Sequence, residues 1–118
     1  MKGLDTYKEV AITTQGRGRL VVMLYDGAIK FLKLALNEFD TGNVEARWNY
    51  IKRALDIIDE LNAVLNMEAG GEVAANLRKL YMFMIRHLDA ANAKKDPQMV
   101  NEVINLLEEL NQGWKAIA

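Results

Sequence analysis

The sequence predicts an all-α protein: an antiparallel up-down four-helix bundle with a short N-terminal arm or cap helix. Three observations lead there. Glycine or proline punctuation at GRG (16–18), TGN (41–43), EAGG (68–71) and KKDP (94–97) divides the chain into segments of similar length. Within each segment the apolar residues recur at spacings of three and four, as on one face of a helix. The connections are short, which favours antiparallel neighbours. No strand alternation, internal repeat or low-complexity tract appears. The 118 residues suit one domain, expected over 1–118, with enough chain for a modest core.

Residues 1–15 are the arm. Leu4, Tyr7, Val10 and Ala11 suit one or two amphipathic turns, but the stretch is too short to be stable alone. It is either a mobile arm or a cap on the bundle. The first long helix is expected near 18–40 and ends where Gly42 can take the left-handed conformation. Asn43 can cap a second helix, near 44–66. A third is expected near 72–93, after the double glycine. The fourth, near 98–115, starts well: Asp96 can accept from orphan N–H groups, and Pro97 fits the first helical position. Along it, Met99, Val103, Leu106, Leu107, Leu110 and Trp114 keep helical spacing.

Composition closes several routes to function. A net charge of −1 gives no electrostatic case for nucleic acid or an anionic membrane. The absence of cysteine removes disulfides, thiolate metal sites and thiol nucleophiles. The start, MKGLDTYKEVAI, lacks the apolar core of a secretory signal. No apolar run approaches the roughly 18 residues of a membrane span. The expectation is a soluble, cytoplasmic protein.

The first helix carries too much apolar surface. Residues 20–32 read LVVMLYDGAIKFL, with Asp26 and Lys30 as the only charges. On a helical wheel its apolar arc spans roughly 240°, against the ≳100° stripe that core packing requires. Leu20, Leu24, Gly27, Phe31, Leu34 and Ala35 cluster on one side, assigned to the core. Val22, Tyr25, Ile29, Leu32 and Leu36 cluster on the other, assigned to a partner. The second helix repeats this in weaker form: Ile51, Leu55, Ile58 and Leu65 make a core stripe, and Ala46, Tyr50, Ile57 and Val64 extend it. Met82 and Phe83 sit off the main stripe of the third helix. Exposed apolar surface beyond a few hundred Å² marks an interaction site.

Chemistry finds little footing. His87 is the only histidine, and Met84 stands where the Glu-x-x-His pair of a bundle metal site needs its carboxylate. No nucleophile–base pair and no phosphate loop is present. Neither catalytic residues nor a metal or cofactor is expected. A histidine phosphotransfer module remains as an alternative, as does a structural bundle whose second face makes a homodimer.

The motifs then converge. Tyr7-x-x-Val10 is followed by LVVMLYDGAIKFL, by Met-Glu-x-Gly-Gly-Glu at 67–72, and by LYMFMIRHL and NLLEELNQGWK. Together, over roughly residues 5–117, they resemble the flagellin-specific export chaperones, the FliS family. Where such proteins often have Ser-Pro before the first long helix, this chain has TTQGRGRL. The resemblance implies a small cytoplasmic helical bundle without catalytic activity. It implies binding to the C-terminal segment of unassembled flagellin, suppression of early polymerisation and help toward the flagellar type III export apparatus. Tyr7 and Val10 match the arm beside the binding surface, and Tyr25, Asp26 and Gly27 match the helix signature. The client-binding set expected is Tyr7, Val10, Val22, Tyr25, Ile29, Leu32, Leu36, Ile57 and Val64. A client's apolar helix faces need a substitute partner, which explains a helix with two apolar faces.

Overall fold

The computed structural model describes residues 17–65 and 67–117. They form four helices: α1 (Arg17–Thr41), α2 (Val44–Ala63), α3 (Met67–Lys94) and α4 (Pro97–Ile117). No strand occurs among the described residues. The arm, with Tyr7 and Val10, lies outside them.

The helix ends follow local chemistry. Gly42 takes φ +75° and its N–H returns to the Glu38 carbonyl at 3.1 Å. Asn43 caps α2 by accepting from Ala46 N–H at 3.0 Å. Asp96 caps α4 by accepting from Gln98 N–H at 3.0 Å. Between α3 and α4 the left-handed position falls on Lys95, φ +55°, where no glycine announces it. The start of α3 differs from the expected 72. A turn from Met67 precedes a kink at Gly71, whose φ of 52° and ψ of −125° suit glycine alone. A Cβ on Gly70 would stand 2.6 Å from that of Ala74, so both glycines of the pair are required by the bend.

Cross-helix pairs fix the directions. Phe31 meets Tyr50 and Gly27 meets Ile57, so α1 and α2 run oppositely. Arg47 meets Asn92 and Arg78 meets Asn62, so α2 and α3 do too. Lys33 meets Glu108 and Asp26 meets Asn111, which sets α4 against α1. The helices pack in a ring, α1–α2–α3–α4 and back to α1. It is the antiparallel up-down bundle.

The core is a set of heptad-like seams. Tyr25, Ala28, Leu32 and Ala35 on α1 face Ile51, Ala54, Ile58 and Leu61 on α2, with Leu77, Tyr81, Met84, Leu88 and Ala91 on α3. Val100, Val103, Ile104 and Leu107 complete it from α4. Steps of three and four alternate along these rows, which is the spacing of near-parallel bundle packing.

This seam corrects the wheel. Tyr25 and Leu32 have no exposed surface and Ile29 is 9% exposed, so the side assigned to a partner holds the core. Of the side assigned to the core, Ala35 is buried, Leu24, Phe31 and Leu34 are half-buried, and Leu20 is exposed. The excess apolar arc of α1 has a structural cause: the helix packs against α2 on one flank and α4 on the other, with the seam between. Gly27 serves the first flank. A Cβ there would lie 3.3 Å from Ile57 Cδ1, so its absence lets α2 come close.

Candidate functional site

The two flanks of α1 differ in kind. Toward α2 the contacts are apolar and aromatic. The Phe31 and Tyr50 rings stack with centroids 6.4 Å apart, and the Arg53 guanidinium lies 5.5 Å from the Phe31 centroid. Toward α4 they are polar at the surface. Asn111 donates its amide N–H to Asp26 Oδ1 at 2.8 Å, Lys115 Nζ stands 3.5 Å from the same oxygen, and Lys33 Nζ stands 3.4 Å from Glu108. A concavity of about 300 Å³ opens between α1 and α4, and one of about 420 Å³ lies along α1, lined by α1 residues alone. Asp26, Ile29 and Lys33 line both.

Behind the polar flank sits a buried aromatic cluster. Tyr25 and Tyr81 hydroxyls are 2.7 Å apart, and the Tyr25 ring is 6.3 Å from that of Trp114. Burial pushes both phenols above their ordinary value of 10.0. For Tyr25 the Tyr81 hydroxyl and the Trp114 indole oppose that push; for Tyr81 the Tyr25 hydroxyl reinforces it. Both rings are therefore neutral structural groups at physiological pH.

His87 Nε2 lies 2.8 Å from Glu102 Oε1, and its ring stacks on Phe83 at 4.8 Å. A carboxylate thus pairs with one of the two ring nitrogens. Asp26, His87 and the helix carboxylates form no cluster able to hold a metal ion among the described residues.

Exposed apolar side chains are most numerous at one end, while Val44 and Trp48 at the start of α2 are exposed at the other. Leu20 and Met23 near the start of α1, Met67 and Val73 near the start of α3, and Ile117 at the end of α4 are all exposed. The antiparallel ring brings those three termini, with the end of α2, to the same pole. Met82 and Phe83 are exposed midway along α3, away from it.

The sequence-derived site residues separate accordingly. Val22, Leu36, Ile57 and Val64 are half-buried at the surface. Tyr25, Ile29 and Leu32 lie in the core, and Ile29 also lines both concavities. Sequence reasoning passed over Asn111 and Lys115. The signal was present: Asn111 falls four residues after Leu107, on the buried stripe of α4, where an amide is out of place.

The whole chain, residues 1–118, matches the family model described as "Flagellar protein FliS". The chain belongs to the FliS family. It is similar to the flagellar secretion chaperone FliS of Vibrio cholerae, 38% identical over 122 residues that cover 99% of this chain and 90% of that one. The FliS of Salmonella typhimurium is 38% identical over 121 residues, covering 98% and 90%. That of Bacillus subtilis is 33% identical over 109 residues, covering 92% and 80%. The FliS relatives are flagellar secretion chaperones, a non-enzymatic role. Among the described residues, no helix is long and apolar enough to cross a membrane.

Proposed function

We propose that this FliS-family chain acts in the cytoplasm and binds the disordered C-terminal segment of unassembled flagellin. It holds that segment apart from early polymerisation and presents it to the flagellar type III export apparatus. The observation that carries the reading is the apolar pole where α1 begins, with Leu20 46% and Met23 68% exposed. A polymerising helical subunit buries apolar faces against its neighbours. A chaperone must offer those faces a replacement, in the manner of a helix laid in a groove. Half-buried Val22, Leu36, Ile57 and Val64 extend the contact surface, and Tyr7 and Val10 join it by family resemblance. Tyr25, Ile29 and Leu32 back the surface as core.

Binding orders a disordered chain, so titration with the C-terminal region of the flagellin from the same genome gives a large negative heat-capacity change. Replacing Leu20 and Met23 together by Asp leaves the unfolding midpoint nearly unchanged, because both are exposed. The same change weakens binding tenfold or more (~1.4 kcal/mol), because a charge loses its water as the client docks. A near-zero heat-capacity change with steep salt dependence in the unaltered protein overturns the reading.

A further inference from the structure

Among the described residues, one buried cation has no anion. Arg47 begins the buried stripe of α2 that runs on through Ile51, Ala54, Ile58 and Leu61, and it is 4% exposed. Its Nε donates to the Asn92 side-chain oxygen at 3.1 Å, and its guanidinium lies 4.8 Å from the centroid of the Phe39 ring. Neither neighbour carries charge, and no described carboxylate forms an ion pair with it. The half-buried carboxylates nearby in the chain fold are engaged elsewhere: Glu38 accepts from the Thr41 hydroxyl at 2.9 Å, and Asp96 from Gln98 N–H at 3.0 Å. Taking a charge out of water without a counter-charge is costly, and an aromatic face with one amide offsets only part of it. The helix adds to the cost. Arg47 stands one turn from the N-terminus of α2, where the macrodipole disfavours a cation. Bundle stability alone calls for an apolar side chain here, as at the other positions of the stripe.

The cation is not sealed in. Its two Nη atoms make no hydrogen bond among the described residues. The only described side-chain polar atom that is fully buried without a partner is the Asn111 carbonyl oxygen, so both Nη atoms still touch solvent. Side chains on a helix lean toward its N-terminus, so the exit lies at the pole where α2 and α4 begin and α1 and α3 end. Val44, three residues before Arg47, and Trp48, one after it, are both exposed and offer an apolar landing beside the exit. The charge of this pole as a whole does not attract anions, since Arg47, Lys94 and Lys95 are matched by Glu38, Asp40, Glu45 and Asp96. The preference is local: exposed charges are screened by water and salt, and the buried guanidinium is not.

The group that an arginine fork takes best is a carboxylate, held by two parallel N–H···O bonds. So narrow an exit admits the end of a chain more readily than a segment passing across it. A C-terminal client segment has such an end, and it carries an α-carboxylate. It can also reach. From Met23 at the apolar pole to Phe39 beside Arg47 is about 24 Å along α1 at 1.5 Å per residue, which about seven extended residues span.

We propose that Arg47 is the receptor for the terminal carboxylate of the client, with the residues before the chain end lying on Val44 and Trp48. This rests on the flagellin reading above, and it fixes which end of the client sits at which pole.

The test begins with the protein unaltered. The C-terminal region of flagellin from the same genome is titrated into the full chain as the free acid and as the C-terminal amide. The amide is expected to bind about tenfold weaker or more, the scale of a hydrogen bond between charged groups out of water. In Arg47→Gln, which keeps a donor for Asn92 without the charge, acid and amide are expected to bind alike. Should that variant not fold, a client lengthened by a few residues past its natural end takes its place. It is expected to be weakened as much as the amide, because its carboxylate no longer meets the guanidinium. Equal affinity of acid and amide for the unaltered protein overturns the inference and leaves the flagellin reading in place. So does a difference that persists in Arg47→Gln, or a lengthened client that binds like the natural one, since the carboxylate is then met elsewhere. No binding of either form by the unaltered chain overturns both.

Discussion

One helix, α1, meets its two neighbours by different means. Against α2 it uses Gly27, Phe31 and the Phe39 ring beneath Arg47, a contact of close approach and buried area. Against α4 its surface contacts are Asp26, Lys33 and their partners, loosely paired in water. The first flank is held by packing, which is lost atom by atom as side chains shrink. The second is held underneath by the Tyr25–Tyr81–Trp114 cluster, and its rim contributes little.

The largest expected effect lies on the packed flank. Phe31→Ala removes a half-buried ring that stacks on Tyr50 and carries Arg53, and should cost about 2 kcal/mol, below the range for a fully buried Phe. Urea unfolding measures it. A cost under about 0.5 kcal/mol, the scale of an ordinary surface change, would erase the contrast between the flanks.

Next comes the aromatic support behind the polar flank. Tyr81→Phe should cost about 1 kcal/mol, because it strips the buried Tyr25 hydroxyl of one of its two partners, at 2.7 Å, and leaves the Trp114 indole. Tyr25→Phe combined with Tyr81→Phe should cost less than the sum of the two single changes, since both hydroxyls leave together and only the half-buried Trp114 indole loses a partner. The same pair sets an alkaline limit. Each phenol is raised in the fold, so the folded state keeps its proton after the unfolded chain has lost it. Their stability contribution is full below the unfolded value near 10 and is lost as pH climbs above it. Thermal unfolding followed from pH 9 to 11.5 should show a falling midpoint. The fall should be shallower in the double Phe variant, and equal slopes would remove the tyrosines as its cause.

The smallest effect belongs to the rim. Lys33→Ala should shift stability by about 0.5 kcal/mol or less, as is usual for an exposed pair. A change above about 1 kcal/mol would mean that the α4 seam is closed by charge after all.

The sequence was most informative where chemistry is local. Asn43, Asp96 and Gly42 act at the helix ends as their side chains or lack of one require. The bundle itself followed from spacing and short connections. The choice of face on α1 did not, because a residue apolar in two directions carries no label for the direction that is buried. Tyr25 and Leu32 became core through the seams of three other helices, information that lies outside residues 20–32. Lys95 took the left-handed corner without a glycine, since the loop between α3 and α4 imposed it. Asn111 was legible in principle, as an amide on an apolar stripe. Its unsatisfied oxygen was not, because satisfaction depends on what α1 brings opposite.

The ring order has a kinetic consequence. Three of its four contacts join helices that are consecutive in the chain and separated by two or three residues, so each can form as a local hairpin soon after the helices appear. The fourth, α1 with α4, joins the two ends of the described chain and closes the longest loop. Loop closure costs most for this contact, so it is the one expected to form last. Once formed, it is the second most extensive contact of the ring, so the thinner seams on either side of α3 are the ones expected to open first. The contact slowest to form is therefore not the one expected to open first, and hydrogen exchange read helix by helix would separate the two.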